Sequence, residues 1–321
     1  MSPEFPEGKK FAFTIMDDTD EATLENIRPV YDCLRELGLR TTKTVWVNDT
    51  GKETSPFRKA DTMSRVDYRD YVQELQAAGF EITWHCAAMH TSRRPQTMEG
   101  IEKLRDMFGV APRVHANHAF NRENIYWGKD RFDDPLIRNI YKRVTKHRPD
   151  RYQGHFPDSP FWWGDLCKSD VDYVRNLSFR AVNLMNINPS MPYTDPARPY
   201  ANAWFSATNA EDRNAFNALF SPAAQDRLMK EGGVCIVATH LGKGFVENGR
   251  LNEETRNILE RIASLPGWFV PVGELLDHLK AQRQSMLLPH WEWRRMQWRW
   301  VREQVMDKLG KRLGTRKRQR G

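Results

Sequence analysis

The chain is poor in cysteine. It has four in 321 residues, Cys33, Cys86, Cys167 and Cys235, with no CxxC pair among them. That excludes a disulfide framework and a zinc ribbon, and it leads us to expect reduced, buried thiols and a cytoplasmic home. No run approaches the roughly 18 apolar residues of a membrane span. The opening MSPEFPEGKK has no apolar segment of the signal-peptide kind. No internal repeat is visible. Most of the chain also lacks a charge excess. Residues 281–321 hold twelve Lys/Arg and three Asp/Glu, a balance of +9, which leaves −2 for the rest of a chain whose total is +7. A basic substrate channel is therefore not implied, whereas a basic appendage is. What remains is an ordinary globular composition, 40% hydrophobic and 28% charged, and enough residues for one large α/β domain or two small ones.

The chain is organised around Phe11–Asp20, FAFTIMDDTD. An apolar run preceded by Lys9 and Lys10 predicts a strand buried on both faces, as in a parallel sheet under helices. It ends in Asp17 and Asp18, where α/β folds place their chemistry. Adjacent residues of a strand point opposite ways, so one acid could bind a metal while the other faces a substrate. Alternatively Asp18 or Asp20 caps a helix starting near Glu21.

Downstream, apolar spacing predicts helices over Glu21–Leu37, Arg65–Ala78, Thr97–Phe108, Glu253–Leu265 and Val272–Leu279, with Pro29 a possible kink in the first. Strands are predicted at Thr42–Val47, Phe80–Trp84, Arg180–Asn186, Gly233–Thr239 and Gly267–Pro271. Asn48–Ser64 reads as a long loop. The stretch Pro149–Pro222, rich in Pro, Asn and aromatics, parses poorly. Alternating strands and helices mean βα units and a parallel sheet or barrel.

Four strand ends carry Asp17/Asp18, His85, His115/His118 and His240. Any one such histidine is most simply a hydrogen-bonded structural residue. Four on the same face of an α/β fold point to a site. Asp and His ligands around a divalent ion polarise a carbonyl and acidify water, a second carboxylate takes a proton, and a far-side His gives one.

These residues resemble the polysaccharide deacetylases, the NodB-like enzymes of carbohydrate esterase family four. The signals are DD after the first strand, GFEITWH with a second His soon after, and IVATHL near the C-terminal end. The resemblance covers about residues 8–280. It implies an α/β fold, a distorted (β/α) barrel of fewer than eight strands. It implies Asp17 as catalytic base, Asp18 and His85 as metal ligands and His240 as general acid. The third ligand is expected to be His90, with His118 as the alternative and His115 a weaker one, because His85 and His90 are separated by four residues where the family has three. Cys86 stands where the family has Ser or Thr. The family's Arg-Pro-Pro segment is replaced by PRVHANHAFNRENIYWG, which marks a divergent branch. His115, Asn117, Asn121, Arg122, Trp127, Trp162 and Trp163 are candidate substrate contacts, the tryptophans because flat rings suit sugar faces, although they serve equally well as core. Lys243 and Gly242 are further candidates.

The division expected is a barrel over 8–280 and a basic, Trp-rich amphipathic tail over 281–321. Trp298, Val301, Val305 and Leu309 recur at helical spacing. The tail either lies on an anionic membrane surface through 290–321, at its inner face, or packs its tryptophans on the barrel. Nucleic acid is not expected, since the charge is confined to the tail. The activity implied is hydrolytic removal of an acetyl group from an N-acetylated sugar or lipid-linked glycan precursor, with a divalent ion, expected to be zinc. The alternatives are an inactive barrel serving as a scaffold in glycan assembly and an amidase acting on a small non-sugar amide.

Overall fold

The computed structural model describes residues 3–49, 60–144 and 151–318; the side chains of residue 144 and of 309–318 are not described. The middle of the long loop expected at Asn48–Ser64 thus lies outside the described residues. In chain order the elements are β1 Phe11–Asp17, α1 Leu24–Glu36, β2 Thr42–Val45, α2 Val66–Ala77, β3 Glu81–Trp84, α3 Arg94–Phe108 and β4 Val114–His115. There follow α4 Pro135–Val144, α5 Gly164–Asp170, β5 Tyr173–Phe179, β6 Ala203–Asn209, α6 Arg213–Leu219, α7 Pro222–Glu231 and β7 Val234–Thr239. A small hairpin, β8 Val246–Glu247 and β9 Arg250–Leu251, precedes α8 Glu253–Ser264, β10 Gly267–Trp268, α9 Val272–Ala281 and α10 His290–Arg318.

Strands β1 to β7 pair in order, all parallel, and β7 closes on β1 over six rungs from Ala12↔Val234 to Asp17↔Thr239. The result is a seven-stranded parallel barrel ringed by helices, and β10 adds to the start of β1 at Phe11↔Gly267. Side chains alternate across the barrel wall. Ala12, Met16, Val114, Ala116, Tyr173, Phe205 and Ile236 fill the interior. Phe11, Phe13, Ile15, Trp84, Val174 and Val237 face the helices. This parity decides which polar residues reach the barrel mouth.

The middle of the chain corrects the sequence reading. Arg180–Asn186 is not a strand; it is a turn ending in a short 3-10 helix at Leu184–Asn186. The strand lies just before it, at β5, and β6 was not predicted. Helix α1 starts at Leu24, capped by Thr23 and Asn26, so neither Asp18 nor Asp20 is its cap. The helix runs on through Pro29.

The tail is only partly an appendage. In α10, Trp293 and Met296 are buried in the same core as the barrel's outer face, and Trp298, Trp300 and Val301 pack against it. Trp293 Nε1 donates to Asp133 Oδ2 at 2.6 Å and Glu292 accepts from Ser190 Oγ at 2.7 Å. The tryptophans that suggested a membrane helix are thus largely committed to the barrel, with Trp291 the exposed exception. No described helix is long and apolar enough to cross a membrane.

Candidate metal centre

Strand β1 carries three acids at its end, and the parity of the barrel wall separates them. Asp17 shares the outward face of Phe11, Phe13 and Ile15. Its Oδ2 accepts from Lys43 Nζ at 3.0 Å and from the Tyr31 hydroxyl at 2.9 Å, and its Oδ1 accepts from Leu241 N at 2.8 Å. Asp17 and Lys43 have no exposed side-chain surface. The base expected at Asp17 is therefore turned away from the barrel mouth and locked beneath the helices.

Asp18 faces inward, as does Arg175 of β5. The guanidinium grips the carboxylate with two bonds, Nη1 to Oδ1 at 2.9 Å and Nη2 to Oδ2 at 2.5 Å. Burial alone would raise the Asp18 pKa, but the Arg175 guanidinium outweighs it and holds the carboxyl below its usual range. Asp18 is committed to Arg175, and the carboxylate that joins the histidines is that of Asp20.

Asp20, His85 and His118 are all buried and present one ligand atom each within 4.8 Å of one another. Asp20 Oδ1 lies 3.6 Å from His85 Nε2 and 3.6 Å from His118 Nε2. Donors about 2 Å from one tetrahedral ion stand about 3.4 Å apart, so the spacing suits a common ion. The second nitrogens agree with that reading. His85 Nδ1 meets Ala116 O at 2.8 Å, and His118 Nδ1 meets Asn121 Oδ1 at 3.1 Å. Both acceptors hold the proton on Nδ1 and leave the Nε2 lone pairs aimed at Asp20, as metal-ligating histidines require. Burial pushes His85 down to about 4, against the pull of Asp18 and Asp20, so the ring is neutral. The donor set, one carboxylate and two imidazoles, fits a divalent ion.

Trp46, fully buried, forms the back wall. Its ring stacks on His85 at 6.5 Å and meets His118 edge-on at 5.6 Å, and its Nε1 donates to His85 O at 3.0 Å. Directly after His85 the chain turns through Cys86 at φ 65°, a conformation disfavoured for a side-chain-bearing residue. His240 closes the front. Its Nε2 is 3.7 Å from Asp20 Oδ2 and 4.0 Å from Asp18 Oδ2, and its Nδ1 is held by Glu211 O at 2.7 Å.

Other expected residues stand elsewhere. His90 does not join the donor group. His115 points outward between Trp84 and Trp163, at ring distances of 5.9 and 5.1 Å, and burial lowers it to about 3. Trp163 is core, its Nε1 donating to Glu123 O. Asn117 braces the loop by bonding both backbone groups of Ile125. Asn121 orients His118. Arg122 lies over Phe161 at 4.2 Å, Arg131 over Trp127 at 3.3 Å and Arg94 over Trp162 at 4.6 Å, so these three rings face cations. Arg175 was missed because its strand was missed; an arginine inside the apolar run VDYVRNLSF was the available signal. Asp20 was legible from strand parity, two residues beyond Asp18.

No protein-family model and no curated protein matches the sequence. Solved structures do. A protein described as a polysaccharide deacetylase from Mycobacterium smegmatis superposes with a TM-score of 0.51 at 13% identity, over 90% of this chain and 97% of that one. An allantoinase (Puue) superposes with a TM-score of 0.52 at 13% identity, over 88% of this chain and 94% of its own. The chain therefore has the NodB-like barrel fold over nearly its whole length.

Proposed function

We propose that the chain is a metal-dependent hydrolase that removes an acetyl group from an N-acetylated sugar or glycan precursor. The observation that carries this reading is the buried donor group Asp20, His85 and His118, with both histidine Nδ1 atoms tied back. A divalent ion held there would polarise the acyl oxygen and acidify water. Asp18 Oδ2, ionised and fixed by Arg175, stands ready to accept the water's proton. His240, with its Nδ1–H donating to Glu211 O, would serve as acid from a protonated Nε2, giving that proton to the departing amine and regaining one from Asp18 Oδ2, 4.0 Å away, after Asp18 has taken it from water. His240 and Asp18 flank Asp20, as acid and base must flank a common carbonyl. Water is restricted because four of these five side chains are nearly fully buried and the opening lies on the His240 side.

The scaffold alternative rested on the wide spacing of His85 and His90, and His118 removes that ground by completing the donor set. The small-amide alternative keeps one supporting observation, the allantoinase barrel, which superposes as well as the deacetylase.

Elemental analysis and turnover of N-acetylglucosamine-containing substrates test the reading together. Wild type is expected to hold about one divalent ion per chain. Asp20→Asn and His118→Gln should lose it, and His90→Gln should keep it. Asp18→Asn should keep the ion and lose at least about a hundredfold in turnover, the lower range for general-base catalysis. An ion-free wild type after zinc addition, or an Asp18→Asn enzyme at full rate, would overturn the proposal.

A further inference from the structure

Among the described residues, Lys243 is the cation beside the donor group that the proposed chemistry leaves unused. Its Nζ lies 3.9 Å from Asp20 Oδ2 and 3.9 Å from Glu211 Oε1, with 17% of the side chain exposed. Both are ion-pair distances longer than a hydrogen bond, so the ammonium is shared between two carboxylates and held closely by neither. Its backbone, by contrast, is tightly set. Lys243 N donates to His240 O at 2.9 Å, and Lys243 O accepts from Arg213 N at 3.3 Å. The preceding Gly242 lies against the Glu21–Ala22 backbone so closely that a Cβ there would sit 2.6 Å from Ala22 N and Glu21 C. Asn26 Nδ2 bridges the two loops, donating to Glu21 O at 2.9 Å and Gly242 O at 3.2 Å. The loop that carries Lys243 is thus fastened to the loop that carries Asp20.

Charge then decides what Lys243 is for. Asp18 and Asp20 balance Arg175 and Lys243. A divalent ion on Asp20, His85 and His118 adds two positive charges and occupies the carboxylate nearest the ammonium. Counting Glu211 at the rim still leaves positive excess at the mouth. An ammonium at the open edge of such a site attracts an anion, and the attraction is strong where water is partly excluded.

We propose that Lys243 makes this a site for anionic amides, reading a carboxylate or phosphate that lies within a few bonds of the scissile acyl–nitrogen bond. The inference rests on the proposed hydrolase reading and narrows its substrate class. N-Acetylglycine and N-acetylglycinamide are a matched pair, nearly equal in size and differing in charge. Calorimetric titration of the zinc-loaded protein reads their binding whether or not they turn over. Wild type should bind the acid at least about tenfold more tightly than the amide, the size of a partly screened charge pair. Lys243→Gln should erase that preference and retain about one zinc per chain, and Lys243→Arg should restore most of it. Wild type without preference, including no detectable binding of the acid, would overturn the proposal, as would a preference that survives Lys243→Gln. If the preference behaves as expected but no N-acyl compound of either charge is hydrolysed, the hydrolase reading fails and the anion site stands.

Discussion

Replacing Lys43 by methionine keeps the side-chain length and removes the charge that faces Asp17. Both partners are fully buried, and the ion pair is 3.0 Å long. Lys43 Nζ also lies 5.4 Å from the Tyr31 ring and 5.8 Å from the Tyr68 ring, so no water takes its place cheaply. The variant strands a carboxylate that keeps only the Tyr31 hydroxyl and the Leu241 amide as donors. Breaking a buried pair from one side costs about 3–5 kcal/mol. With those two donors retained, the lower half of that range is expected, about 3–4 kcal/mol in urea unfolding at neutral pH. Adding Asp17→Asn to Lys43→Met removes the stranded charge while an amide oxygen still accepts from Leu241. The double variant should recover at least about 2 kcal/mol of the loss, a coupling only a contacting pair shows. A Lys43→Met cost below about 1 kcal/mol, or additive single costs, would refute the buried pair. The same double variant should also retain turnover, because Asp17 stands outside the barrel mouth; loss of turnover with metal intact would return the base role to Asp17.

Two further outcomes follow from the packing. Glu123 is buried, and burial pushes its carboxyl up to about 8. A folded pKa above the unfolded one gives stability that is full below about pH 4.3 and is lost as pH rises through about 8; the unfolding free energy should fall across that window, and Glu123→Gln should flatten the fall in urea titrations at pH 5 and pH 8. Gly242→Ala should cost about 1–3 kcal/mol, since its Cβ would press on the Glu21–Ala22 backbone, and it should weaken zinc binding by moving Asp20; unchanged zinc affinity would show that the two loops are not coupled.

The barrel was legible where the periodicities were clean. β1, β3 and β7 are apolar runs ending in polar residues, and α1, α2, α3, α8 and α9 carry apolar stripes that match their buried faces. β5 and β6 were not legible, because Arg175, Asn176 and Ser206 interrupt their apolar pattern with polar side chains that the interior satisfies: Arg175 by Asp18, Asn176 by the Tyr193 hydroxyl and Ser206 by Asn188. The sequence gathers Asp17/Asp18, His85, His115/His118 and His240 at strand ends, and the structure brings Asp18, His85, His118 and His240 together around Asp20. The family pattern assigns the two adjacent acids to base and ligand. On the proposed reading the base falls one position along, on Asp18, and the ligand two along, on Asp20, because the parity of β1 turns both of these acids inward. His118 over His90 follows from the same parity: Ala116 lines the interior, so His118, two residues on, faces inward as well.

On the proposed reading the run MDDTD does three separate jobs with three carboxylates. An inward acid at the ligand position cannot also be the base, since the ion withdraws its basicity. An outward acid cannot reach the substrate, but it can hold the strand end to its neighbours, and Asp17 does so through Lys43 on β2 and Leu241 beside His240. The third acid, between them in sequence, needs a cation of its own to stay ionised without binding the metal, and Arg175 supplies it from across the barrel. Asp17 and Asp18 each have a buried counter-charge, Lys43 on β2 and Arg175 on β5. The site therefore depends on barrel closure: separating β7 from β1 removes the Leu241 anchor of Asp17, and displacing β5 releases Asp18 to compete for the ion. Metal content and unfolding should for that reason be lost in one cooperative transition, and a urea titration followed by zinc release and by tryptophan fluorescence should give coincident midpoints.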